Sequence, residues 1–212
     1  MPRARTNHSF LILTVVVLAA WALWPTAGPR EGQLPAYFTA FELVETPLHG
    51  RVDPQRVRLA PGLDPGRLLQ VVGRDSVRSI DYPRFENVAA ADAWLAPDDL
   101  VLALERGGEA RAYPLKILNW HEVVNDRFDD GPVTVTYCPL CRSGRAFVPP
   151  EELGEDAHFG ASGRLYNSDL VLYDRATGTF WSQLDGRPLA GALVGRVERL
   201  GAVPLDVVRW GA

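Results

Sequence analysis

The sequence predicts an α+β fold: a β-rich single domain of short, mainly antiparallel strands, with one well-defined helix just before a strand that ends in Cys-x-x-Cys. Three observations carry that reading. Short runs rich in β-branched and aromatic residues recur roughly every ten residues between Gly, Asn, Asp or Pro turns. The pair Gly107-Gly108 separates two such runs, and tight antiparallel hairpins favour residues that accept positive φ. Only "LKILNWHEVVND" (115–126) carries a sustained apolar stripe of helical period.

The chain divides into residues 1–30, a lead-in of 31–67 and the β-rich Cys-x-x-Cys domain of 68–212. In the first part Arg3 and Arg5 precede an uncharged apolar run from Phe10 to Trp24, which Pro25 stops, and that pattern is an export signal. The run is long for a cleavable signal and short of the ~20 residues that a relaxed spanning helix needs, so a signal peptide and an N-terminal membrane anchor are both open. Pro25 spoils the small-x-small pattern before Ala27 and tips the balance to an uncleaved anchor. Basic residues ahead of the run place the rest outside the cytoplasm, in a membrane-anchored, periplasmic or extracellular protein. No cysteine lies near the run, which excludes a lipoprotein anchor.

Three of the 22 basic residues and none of the 26 acidic ones precede residue 31, leaving 19 against 26, a balance of −7. That charge excludes nucleic acid as a partner and leaves membrane contact to the N-terminal segment alone.

Residues 28–67, rich in Pro and Gly, read as a tether with at most one short element from Tyr37 to Val44. "LLQVVG" (68–73) is a strand, and "NVAAADAWLAPDD" is helical up to Leu95, before Pro97. Strands 100–105 and 109–113 form the Gly-Gly hairpin. Pro114 then opens the main helix as its first residue. Ile117, Trp120, His121 and Val124 fall on one stripe, with Glu122 at its margin and Asn125 as the left-handed cap. "PVTVTY" alternates Val133, Val135 and Tyr137 with Thr134 and Thr136, a strand with one apolar face, and period two puts Cys138 on the threonine side. Downstream, "SGRAFVP", "AHFGAS", "LVLYDR", "TFWSQL" and "ALVGRVERL" are further β runs.

Both cysteines lie in "TYCPLCRSG", three positions apart. A disulfide stabilises mainly by restricting the unfolded chain, so closing so short a loop contributes little. The spacing fits a bond made to open and close, or two thiolates directed at one metal. No long helix follows Cys141, which separates the turn from the thioredoxin arrangement; Arg142 and Arg145 are the cations able to favour a thiolate. As metal ligands the cysteines would be joined by His121 and His158, a donor set suited to zinc or copper. Glu122 is placed for proton transfer or for orienting an imidazole. The bland readings are a core His121 bonded to backbone, a surface His158 and a solvated Glu122. "HE" without a second histidine is no zinc-protease helix, "GASGR" is no nucleophile elbow, and Arg142 stands where covalent haem needs histidine. Tyr166, Tyr173, Phe180 and Trp181 read as aromatic sheet pairs; the sharper reading is a pocket lined by Trp181, Gln183 and Asn167, with Trp120 also facing a ligand.

"EARAYPLKILNWHEVVND", "VTVTYCPLCRSG", "FGASGRLYNSDLVLYDR" and "FWSQLDGRPLAG" together resemble a prokaryotic domain-of-unknown-function family marked by a Trp-His-Glu helix followed by Thr-Tyr-Cys-Pro-x-Cys. The resemblance spans about residues 68–210. The family is grouped under a name that allows for selenoprotein members, which implies redox chemistry at Cys138 or Cys141, since selenium improves both nucleophile and leaving group. Similar proteins continue past "VVRWGA" with another Trp-containing charged segment, which implies a truncated C-terminus. The sequence thus points to an exported thiol–disulfide redox protein in which one cysteine attacks and the other resolves. A zinc- or copper-binding protein and a non-catalytic module for an envelope partner are the rivals.

Overall fold

The computed structural model describes residues 10–13 and 58–212. Most of the predicted signal or anchor, and the predicted element at 37–44, lie outside the described residues.

Three five-stranded sheets carry the described chain. The first contains β1 (Phe10–Leu13), and the third contains β2 (Leu68–Gln70). The central sheet begins with β3 (Ile80–Asp81), while β4 (Phe85–Asn87), β5 (Leu100–Arg106) and β6 (Glu109–Pro114) return to the first. Then β7 (Val123–Phe128), β8 (Gly131–Cys138) and β9 (Ser143–Val148) build the central sheet. The third sheet adds β10 (Phe159–Tyr166), β11 (Asp169–Asp174), β12 (Phe180–Ser182) and β13 (Pro188–Ala190); β14 (Gly201–Val203) and β15 (Asp206–Arg209) close the central and first sheets. Strand orders are β15-β5-β6-β1-β4, β14-β9-β8-β7-β3 and β13-β12-β11-β10-β2. All pairs are antiparallel except β1 with β6 and β3 with β7. The β-rich, mainly antiparallel α+β expectation therefore holds. No helix among the described residues is long and apolar enough to cross a membrane.

The central sheet is covered on both faces. Leu102, Leu104 and Tyr113 of the first sheet meet Val124, Val133, Val135 and Tyr137. On the opposite face Val123, Cys138 and Phe147 meet Phe159, Leu170, Leu172 and Trp181 of the third sheet. "PVTVTY" was expected to have one apolar face, yet Thr134 and Thr136 are buried too, because the third sheet covers them. The outer faces carry smaller clusters, around Phe180 and around Leu95 with Trp210.

Helix α1 (Val88–Ala91), capped by the Asn87 side chain, continues as turns to Leu95. The hairpin β5–β6 turns through Gly107 (φ 60) and Gly108 (φ 82) as expected. Helix α2 (Leu115–His121) departs from the expectation at both ends. Pro114 is the cap preceding the helix, and Glu122, at φ 57 and ψ −32, ends it. Residues 123–126, read from periodicity as the helix's last turn and cap, belong instead to β7, and Asn125 is a strand residue rather than a cap. The reason is tertiary: Val123, Val124 and Phe128 gain a full antiparallel register with β8 through the Asp129-Asp130 turn. Leu118 is consequently the fully buried helix residue, while Trp120 is 38% exposed. "ALVGRVERL" forms turns and one isolated bridge, Val194 to Val197, because Gly195 at φ 76 interrupts extension.

Candidate functional site

The site grows from the end of β8. Cys138 pairs across from Ser143, and residues 139–142 make the connection, with Arg142 in the left-handed region (φ 53). Cys138 inherits the inward-facing register of Thr134 and Thr136 and is buried, whereas Cys141 at the tip of the turn is exposed. Both are free thiols, and they come within 2.8 Å of each other. The Cys141 backbone N–H points at Cys138 Sγ (3.4 Å).

A second hairpin delivers a carboxylate. Asn167 (φ 51) and Ser168 (φ 67) join β10 to β11, and two consecutive positive φ values make the tight turn that matches strand twist. Asp169 follows at once. Its Oδ1 accepts from Cys141 Sγ at 3.2 Å, and its Oδ2 accepts the Leu184 N–H at 2.9 Å. Beneath the turn, fully buried Gln183 donates through Nε2 to Thr136 Oγ1 (3.1 Å) and to the Ser143 carbonyl (3.2 Å), and accepts from Ser143 Oγ (2.9 Å). Ser143 Oγ in turn stands 2.9 Å from Cys141 Sγ.

Electrostatics separate the two sulfurs. Burial pushes the Cys138 thiol up to about 12, with the adjacent Cys141 adding to the rise. Burial also raises the Asp169 carboxyl, against hydrogen bonds from Cys141, Leu184 and Leu170 that pull it down. Burial alone lifts Glu122 to about 7. Its backbone carbonyl accepts the Tyr137 N–H (2.8 Å), one residue from Cys138.

The other sequence-predicted residues disperse. His121 donates from Nδ1 to the Arg78 carbonyl (2.8 Å), and His158 meets the Tyr82 ring edge-on at 5.0 Å. Among the described residues, the group of potential metal ligands lying within 4.8 Å of one another is Cys138, Cys141 and Asp169, with no histidine in it. Arg145 is stacked toward Phe147 (5.8 Å), and Arg142 is exposed. Trp181 is a core residue, edge-on to Phe159 and bonded through Nε1 to Asp174 (2.9 Å). Asn167 sits in an exposed turn and accepts from Arg67 (3.2 Å). Asp169 was missed by sequence reasoning; the signal for it was the Asn-Ser turn ahead of "DLVLYD", which ends a hairpin at that residue.

This arrangement is compatible with a Cys-x-x-Cys redox site, and its two sulfurs and one carboxylate could equally hold a metal ion. The family described as "Protein of unknown function (DUF3179)" matches residues 74–212, which include every side chain of the site.

The chain belongs to the DUF3179 family.

No curated protein and no solved structure matches the chain. Within the DUF3179 region the "WHE" segment proves to be a helix end and its C-cap, while "TYCPLC" is the end of the central strand and the turn that follows it.

Proposed function

We propose that the protein is an exported thiol–disulfide exchange protein that trades electrons with a disulfide- or dithiol-bearing envelope partner. The observation that carries this reading is the asymmetry of the close, unbonded pair: Cys141 is exposed and bonded to a carboxylate, Cys138 is buried behind it. Cys141 therefore attacks. Its proton passes to Asp169 Oδ1 as the thiolate forms a bond to one sulfur of the partner disulfide, and the partner's S–S bond breaks, releasing a thiolate that takes up a proton. Cys138 then attacks Cys141 Sγ, the mixed disulfide breaks, and a second partner thiol leaves. Two electrons and two protons have moved to the partner, and a Cys138–Cys141 disulfide remains. A partner dithiol runs the same bonds in reverse. Ser143 and Gln183 hold the turn in register under Cys141, a positioning role.

The donor set favours one other reading, zinc or copper held by Cys138, Cys141 and Asp169 with a fourth position open. Intact mass under native and denaturing conditions, before and after mild reductant, with elemental analysis of the same sample, decides between them. A metal-free protein that gains two hydrogens on reduction supports exchange. A stoichiometric ion, lost on denaturation to leave free thiols, overturns it in favour of the metal.

A further inference from the structure

The outer face of the third sheet, apart from the cysteine turn, carries two arginines on one aromatic patch. β10 shifts register between Ala161 and Arg164. Gly163 (φ +73) makes this possible, since a Cβ there would lie 2.2 Å from the Val72 carbonyl oxygen. Ser162 Oγ holds the irregularity, donating to the Val171 carbonyl (2.5 Å) and accepting the Arg164 N–H (3.1 Å). Beyond the bulge Arg164 lies opposite Gln70 and Val171, with its guanidinium 5.6 Å from the Phe180 ring centre. Arg74 reaches the same ring at 5.8 Å and stacks on Tyr173 at 4.4 Å.

Arg164 is only 9% exposed, and its Nη1 is buried without a hydrogen-bond partner. Among the described residues neither arginine belongs to an ion pair. The neighbouring carboxylate, Asp75, forms no ion pair with either arginine: its Oδ2 accepts from the Tyr173 hydroxyl at 2.5 Å and its Oδ1 is buried without a hydrogen-bond partner. A buried guanidinium without an anion is costly, ring stacking offsets only part of that cost, and a second cation nearby adds to it. Burial and Arg74 both push Arg164 below its ordinary range. Packing alone would be served better by an apolar side chain of similar volume, as elsewhere in the Phe180 cluster.

We infer that Arg164 and Arg74 form an anion site for a phosphate group. A carboxylate is satisfied by one guanidinium fork, whereas a phosphate presents oxygens to two at once. The site is independent of the thiol chemistry proposed above.

The test is a titration of the full chain with inorganic phosphate, followed by thermal unfolding at constant ionic strength, on wild type, Arg164→Gln and Arg74→Gln. The expected result is a saturable upshift in wild type and an apparent affinity at least tenfold weaker in each variant, with acetate giving no saturable upshift. In phosphate-free buffer Arg164→Gln should unfold at the same temperature as wild type or higher, because no ion pair is lost and the relief of a buried charge outweighs the lost stack on Phe180. Parallel titrations with glycerol phosphate and with anionic phospholipid vesicles then assign the phosphate to a soluble ester or to a headgroup, and saturation by either supports the site. No saturable response to any phosphate, or an equal response in both variants, overturns it. So does a marked loss of stability of Arg164→Gln without phosphate, which would make the stack purely structural. Arg74 is exposed, so its variant keeps the test decisive if Arg164→Gln does not fold.

Discussion

Strand β8 meets two interfaces of different chemistry. Toward the first sheet, Val133, Val135 and Tyr137 pack against Leu102, Leu104 and Tyr113, a mainly aliphatic and aromatic contact. Toward the third sheet, Thr134 bonds Asn125 (3.3 Å), Thr136 accepts from Gln183 (3.1 Å), and Cys138 ends the row. Both faces are buried; the first carries one buried polar contact, Tyr113 hydroxyl to Asp126 (2.7 Å), whereas on the second each threonine of the β8 row has a polar partner. The apolar interface rests on area removed from water, which is non-directional. The polar one rests on directed bonds, which set the position of each atom to a fraction of an ångström, as reactive sulfur requires.

Cys141→Ser should abolish exchange with a disulfide-bearing peptide, while Cys138→Ser should accumulate a mixed disulfide through Cys141, visible by intact mass. Accumulation in the opposite variant would reverse the assigned roles. On the apolar face, Leu102→Ala should cost about 2–5 kcal/mol in urea unfolding yet leave the alkylation rate of Cys141 unchanged. Asp169→Asn should slow Cys141 attack by about 10²-fold, the low end for a positioned proton acceptor, with little change in stability. Gly144→Ala should cost about 1–3 kcal/mol, because a Cβ there would meet Leu102 Cδ2 at 2.7 Å, so this substitution presses the apolar face from the site's own turn.

The smallest effect is one of pH. The Glu122 carboxyl sits at about 7 in the folded chain against an ordinary 4.5. The folded state therefore holds a proton that the unfolded chain has released, and stability falls as pH rises between those values. The slope is about 1 kcal/mol per pH unit in mid-window, levelling above pH 7. Glu122→Gln should flatten it in urea titrations at pH 5 to 8, and an unchanged slope would assign the effect to another group.

Much of the local structure was legible. The Gly107-Gly108 hairpin, the strand through Val133 and the threonine-side position of Cys138 all follow from turn chemistry and period two. Where the reading failed, long-range pairing outweighed local pattern. Val124 suits a helical stripe and a buried strand equally, and periodicity cannot separate them; the Asp-Asp-Gly turn before Pro132 was the available signal for a hairpin. The metal-ligand reading chose His121 and His158 because they flank the cysteines in sequence, but the structure brings Asp169 to the thiols instead.

By itself, then, the sequence determined the residue types of the chemistry, the β-rich class and the face on which Cys138 lies, because these depend on neighbours within a few positions along one strand or turn. Only the tertiary structure decided which cysteine is buried, that Asp169 meets Cys141 while Gln183 holds Ser143 beneath it, and that Arg164 is covered without a counter-charge. Those outcomes depend on three sheets stacking, and sheet stacking joins residues whose separation along the chain carries no local signal.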